Sequence, residues 1–121
     1  MNTISSYKDL IFWQQSRQVS LLIVKLIRKL PKEESTRIII NQVLRSAFSV
    51  GANITEGYGK YKGKEYSRFI QIALGSARET EYWLELLTDI FPNFSDEINQ
   101  TLSLNSETIK MLVVTLNKLR K

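Results

Sequence analysis

Cysteine and histidine are both absent from this 121-residue chain. Their absence excludes disulfides, zinc-finger ligand sets, thiol nucleophiles, imidazole general bases and the Glu-x-x-His di-iron motif. Proline occurs twice and glycine five times, too rarely for a disordered chain or a turn-rich all-β fold. Long apolar runs are also missing. The run at residues 21–24 stops at Lys25, and the opening Met-Asn-Thr-Ile-Ser-Ser-Tyr-Lys-Asp has no apolar segment. Neither a signal peptide nor a membrane span is therefore expected, and the expected address is the cytoplasm, which a chain without cysteine suits.

What is present is helical periodicity. Phe12, Val19, Ile23, Leu26 and Leu30 mark a first helix over residues 9–29, with Asp9 as its expected N-cap and Pro31 as its stop. Ile39, Val43, Ala47, Val50 and Ile54 mark a second over 34–56, in which Gly51 calls for a close helix crossing or a kink. Tyr66, Ile70, Ala73, Ala77, Leu84 and Leu87 mark a third over 64–91, ended by Pro92. Ile98, Ile109, Leu112 and Leu116 mark a fourth over 96–119, capped by Ser95 or Asp96 and open to a break at residues 103–106. Short connections between four amphipathic helices predict a single all-α domain over residues 1–121, an antiparallel up-down-up-down four-helix bundle. The first two helices are apolar over more than one face, which predicts self-association.

Residues 52–69 join the second and third helices and hold three of the five glycines. Gly57 and Gly59 are expected to take positive φ at the helix exit. Lys60, Lys62, Lys64 and Arg68, interleaved with Tyr58 and Tyr61, form the pattern of a phosphate-binding edge with stacking groups. Arg17, Lys25, Arg28, Lys29 and Arg37 extend the candidate surface. The charge is uneven: residues 1–64 carry 11 Lys/Arg against 4 Asp/Glu, and residues 65–121 carry 6 against 8. A polyanion partner, RNA or DNA, fits the basic side.

Arg45, Asn53 and Glu56 read as a structural clamp between the second and third helices, with Arg45, Arg68 or Arg78 offsetting a carboxylate at a helix C-terminus. Glu81, Glu85 and Asp89 lie four apart on one helix face, as magnesium-binding carboxylates do in all-α nucleotide pyrophosphatases. The partner Glu-Glu-x-x-Glu pattern is missing, because Glu33-Glu34 is followed by Ser35-Thr36-Arg37. The expectation is therefore a protein without catalytic residues, metal or cofactor.

Several linked motifs carry a resemblance. They are Lys8-Asp9-Leu10-Ile11-Phe12-Trp13-Gln14, then Arg45-Ser46-Ala47-Phe48-Ser49-Val50-Gly51-Ala52-Asn53-Ile54-Thr55-Glu56-Gly57, then Glu65-Tyr66-Ser67-Arg68-Phe69 and Ala73-Leu74-Gly75-Ser76. With them the chain resembles the 23S rRNA-intervening sequence proteins, four-helix bundles of bacterial origin. Many members have Pro where this chain has Gly51, and Phe where it has Tyr66. The family is similar in fold to the accessory proteins of diversity-generating retroelements, basic pentameric barrels that bind nucleic acid and a reverse transcriptase. The resemblance implies a homopentamer, nucleic acid as partner and a nucleic-acid-processing enzyme as a further one; it brings no catalytic residues. The alternative is a protein-interaction scaffold with no nucleic-acid role.

Overall fold

The computed structural model describes residues 5–60 and 63–120. Among these residues are four α-helices: α1 (Ile11–Ile27), α2 (Glu34–Tyr58), α3 (Lys64–Ile90) and α4 (Ser95–Leu119). Backbones approach one another in the ring α1, α2, α3, α4 and back to α1, with no approach across either diagonal. That is the up-down-up-down bundle. No described residue lies in a strand.

The apolar stripes read from the sequence are the core. Ile39, Val43, Ala47, Val50 and Ile54 of α2 are all buried, as are Ile70, Ala73, Ala77, Leu84 and Leu87 of α3. The buried apolar side chains fall into two groups. One, at the Gly63 end, joins Phe12, Ile54, Ile70 and Leu112; the other, at the far end, joins Ile23, Leu26, Val43, Leu87 and Ile98.

Between the two groups runs a buried polar belt of Ser16, Ser46, Thr80, Asn105 and Thr108. Each member has a partner. Thr80 donates to Ser46 Oγ at 2.9 Å or to its own helix at Ser76 O, and Ser46 reaches Val43 O at 3.2 Å. Asn105 donates to Ala77 O at 2.9 Å, tying α4 to α3. Thr108 reaches Leu104 O at 3.0 Å, and Ser16 reaches Trp13 O at 2.7 Å. No buried side-chain polar atom among the described residues is without a partner. A buried amide left unpaired costs about 1–3 kcal/mol, so Asn105 tolerates little sliding of α4 along α3, while the belt's hydroxyls also find carbonyls of their own helices.

Boundaries differ from expectation where side chains turn elsewhere. Asp9 does not cap α1: its carboxylate accepts from Ser5 N–H at 2.9 Å and Ser6 N–H at 3.2 Å, closing a 3-10 turn at Tyr7–Asp9, so α1 begins at Ile11. These N–H donors and the Ser5 hydroxyl hold the Asp9 carboxyl below the usual carboxylate range. At the other end of α1, Lys32 Nζ donates to Ile27 O and Leu30 O, covering carbonyls freed by the stop at Pro31. Ser95 and Asp96 do not cap α4, whose N-cap is Phe94. Nor does α4 break at residues 103–106, because Asn105 there is turned inward onto α3.

Gly51 sits where α1 crosses α2: a Cβ there would lie 3.2 Å from Ser16 Oγ. Gly57 and Gly59 do not take positive φ. Gly57 is buried inside α2, and Gly59 ends that helix with φ −64. Among the described residues only Gly63 has positive φ, at φ 85 and ψ −158, a region open essentially to glycine alone. Gly57 serves proximity instead, since a Cβ there would lie 2.5 Å from Phe69 Cβ. Gly57→Ala should therefore lower unfolding free energy by about 1–3 kcal/mol through overpacking, while Gly59→Ala should change it by under about 0.5 kcal/mol. Urea titration of both variants tests this, and equal effects would contradict the close contact.

Candidate nucleic-acid interface

The approach of Gly57 to Phe69 draws the end of α2 against the start of α3, and the cations of the turn gather around one ring. Lys60 Nζ lies 5.0 Å from the Phe69 ring centroid and Arg68 Cζ 5.2 Å from it. Such contacts contribute about 0.5–1 kcal/mol at exposed sites. Both cations remain open to solvent, with side-chain exposures of 47% and 60%, and each faces one carboxylate: Lys60 with Glu56 and Arg68 with Glu65, both at 3.7 Å. Exposed pairs of this kind hold weakly and yield to a better anion. Lys64, at the first position of α3, is exposed and forms no ion pair among the described residues. Lys62 and Tyr61 lie outside the described residues.

The structure splits the remaining cations predicted for this surface. Arg17 is exposed on α1, about 9 Å along the axis from Ile11, whereas Lys25 is about 21 Å along and Arg28 beyond it. Lys25 and Arg28, with Arg37 near the start of α2, therefore belong to the far end. Lys29 there is tied to Glu97 of α4 at 3.0 Å. The cations expected to extend the candidate surface are thus divided between the two ends, because positions far apart along α1 lie at opposite ends of the bundle.

Sequence reading missed Arg120. It follows the last turn of α4 and lines a groove with Lys64, Ser67, Arg68 and Gln71 of α3. The signal was present in the basic C-terminal residues, but only the antiparallel closure of α4 on α3 places them beside Lys64.

Tyr58 does not offer a free ring for stacking. It is half-buried and packed on the core at this end. Tyr66, behind it, is buried; burial first, and then neighbouring Tyr58, push its phenol pKa up.

The expected clamp of Arg45, Asn53 and Glu56 is not built as drawn. Glu56 points to solvent and faces Lys60 of its own turn, and Asn53 donates to Ser49 O and Oγ within α2. The bridge to α3 comes from Arg45, which reaches Glu79, while Trp83 Nε1 donates to the same carboxylate at 3.0 Å. Ser49 and Ser76 share a hydrogen bond at 2.9 Å one step further along. The geometric reason is the outward direction of Glu56, one turn from the end of α2, where Lys60 is nearer than any arginine of α3. Glu81, Glu85 and Asp89 line the outer side of α3, and no group of described His, Cys, Asp or Glu residues is placed to hold a metal ion. No described helix is long and apolar enough to cross a membrane.

These features define a small basic four-helix-bundle protein whose cations concentrate at helix ends. The chain belongs to the 23S rRNA-intervening sequence protein family, whose pattern it matches over residues 8–114. It is similar to a crystal structure from Bacteroides thetaiotaomicron, described as a protein of unknown function from the S23 ribosomal protein family. The two share 30% identity with a TM-score of 0.79, over 88% of this chain and 98% of the other. The chain matches none of the curated proteins.

Glu56→Ala should shift unfolding free energy by under about 0.5 kcal/mol, as expected for an exposed pair. Asn105→Ala should cost about 1–3 kcal/mol by removing a buried hydrogen bond. A Glu56→Ala loss as large as that of Asn105→Ala, by thermal or urea unfolding, would restore the clamp.

Proposed function

We propose that this protein is a non-enzymatic, oligomeric bundle that binds RNA or DNA through phosphate contacts. The observation that carries the reading is the gathering of Lys60, Lys64, Arg68 and Arg120, from the ends of three helices, at one solvent-exposed end of the bundle. Phosphates bound there displace condensed counterions and compete with the weakly held Glu56 and Glu65. The family name, 23S rRNA-intervening sequence protein, is consistent with an RNA-related role. Arg17 lies nearer this end, and Lys25 and Arg28 supply a second, sparser set of contacts at the far end.

Self-association, to a homopentamer on the family resemblance, is supported by the outer face of α2 and α3. Phe48 is 48% exposed, Ile72 39% and Tyr82 57%. Gly75 lies between Ile72 and Tyr82 on α3, and a Cβ there would meet nothing within 4 Å. A helix-interior glycine costs about 1 kcal/mol and gains nothing inside this chain, as expected where a second copy packs closely. Repetition of the basic end around a ring would raise avidity without new contacts. The same face also fits the scaffold reading, in which the partner is protein alone.

Association with single-stranded RNA and duplex DNA, measured across salt concentration, separates the two. Wild-type affinity should fall as salt rises, and Lys60→Glu, Lys64→Glu and Arg68→Glu combined should reduce the log–log slope by about 2–3. A wild-type protein with no slope would leave the scaffold reading. Phe48→Glu should convert the oligomer to monomer in size-exclusion chromatography with light scattering, and a monomeric wild type at micromolar concentration would end the oligomer proposal.

A further inference from the structure

Where the end of α4 meets the first two turns of α3 lies a groove of about 380 Å³, lined by Lys64, Ser67, Arg68, Gln71, Leu119 and Arg120. Among the described residues its lining includes two arginines, one lysine, one serine and one glutamine, and no Asp or Glu. Three other clefts among the described residues differ in kind. Those between α1 and α4 carry Glu107 or Glu97, and that between α3 and α4 at the far end carries Glu85 and Asp89. The groove is thus a concavity built for an anion.

We infer that this groove receives the phosphomonoester at the end of a nucleic-acid strand, an inference that rests on the nucleic-acid reading above. Three cations converge on one concavity. An internal phosphodiester brings a single charge, whereas a terminal phosphate carries about −1.5 to −2 near neutral pH and three acceptor oxygens. Arg68 and Arg120 present planar donor forks suited to those oxygens, Lys64 adds a point charge, and Ser67 and Gln71 supply neutral donors. Leu119 gives an apolar wall for the terminal sugar. Among the described residues no aromatic side chain lines the groove, and the nearby Phe69 ring is taken up by Lys60 and Arg68. The end is therefore read by its phosphate and not by its base.

The test is fluorescence anisotropy with short single-stranded RNAs of one sequence carrying a 5′-phosphate, a 3′-phosphate or hydroxyls at both ends, with adenosine monophosphate as competitor. The expected result is binding of a phosphorylated strand about 10-fold tighter than the hydroxyl strand, equivalent to about 1.4 kcal/mol. Arg120→Gln, an exposed change beyond the last turn of α4, should bring that ratio near unity, while Lys110→Gln, an exposed change on α4 outside the groove, should leave it. Circular dichroism confirms that both variants fold. Equal, salt-dependent binding of all three strands would overturn this inference and leave the nucleic-acid reading standing. Failure of every strand to bind would overturn both. Competition by the mononucleotide as strong as by the phosphorylated strand would assign the groove to free nucleotides and overturn the strand-end proposal.

Discussion

The buried polar belt at mid-height is the constraint on which the rest of this bundle depends. Apolar packing alone admits neighbouring registers, because one Leu or Ile contact replaces another when a helix slides by a turn. Hydrogen bonds between Thr80 and Ser46 and from Asn105 to Ala77 O do not exchange in that way. A slide of α4 by one turn would leave the buried Asn105 amide without its partner, at about 1–3 kcal/mol, whereas the Thr80 and Ser46 hydroxyls also reach carbonyls of their own helices. Register of α4 on α3 is therefore held by Asn105 inside an apolar core, α2 is tied to α3 by Ser46–Thr80, Ser49–Ser76 and Arg45–Glu79, and the two apolar groups on either side provide most of the burial.

Register fixed at mid-height has its effect at the ends. With α2 and α3 locked side by side, Gly57 meets Phe69, and the turn beyond can hold Lys60 and Arg68 over one ring. With α4 locked to α3 through Asn105, Arg120 comes down beside Lys64. The candidate site is then a product of helix register: its cations come from α3 and from the ends of α2 and α4, and none of these helices would place them alone.

The helices were legible because each apolar stripe repeats at 3.6 residues with prolines and polar turns at the breaks. Pro31 and Pro92 mark their stops well. Ends set by side-chain direction were less legible. Asp9 closes a local turn with Ser5 and Ser6 instead of capping α1, and Gly57 relieves a contact with Phe69 instead of taking positive φ. Both residue types have two common uses, and the choice between them depends on neighbours distant in sequence. The clamp failed for the same reason: spacing puts Asn53 and Glu56 on one face of one helix, but only the packed bundle shows that Arg45 meets Glu79 and that Glu56 faces Lys60.

What the sequence by itself determined is the all-helical fold, the four segments and their buried stripes, because periodicity and helix-stop residues are local properties of the chain. It also determined that cations crowd the link between the second and third helices. Tertiary structure alone decided which cations share a surface. Antiparallel packing carried Lys25 and Arg28 to the far end and brought Arg120 to the near one, since distance along a chain and distance across a bundle are set by different physics.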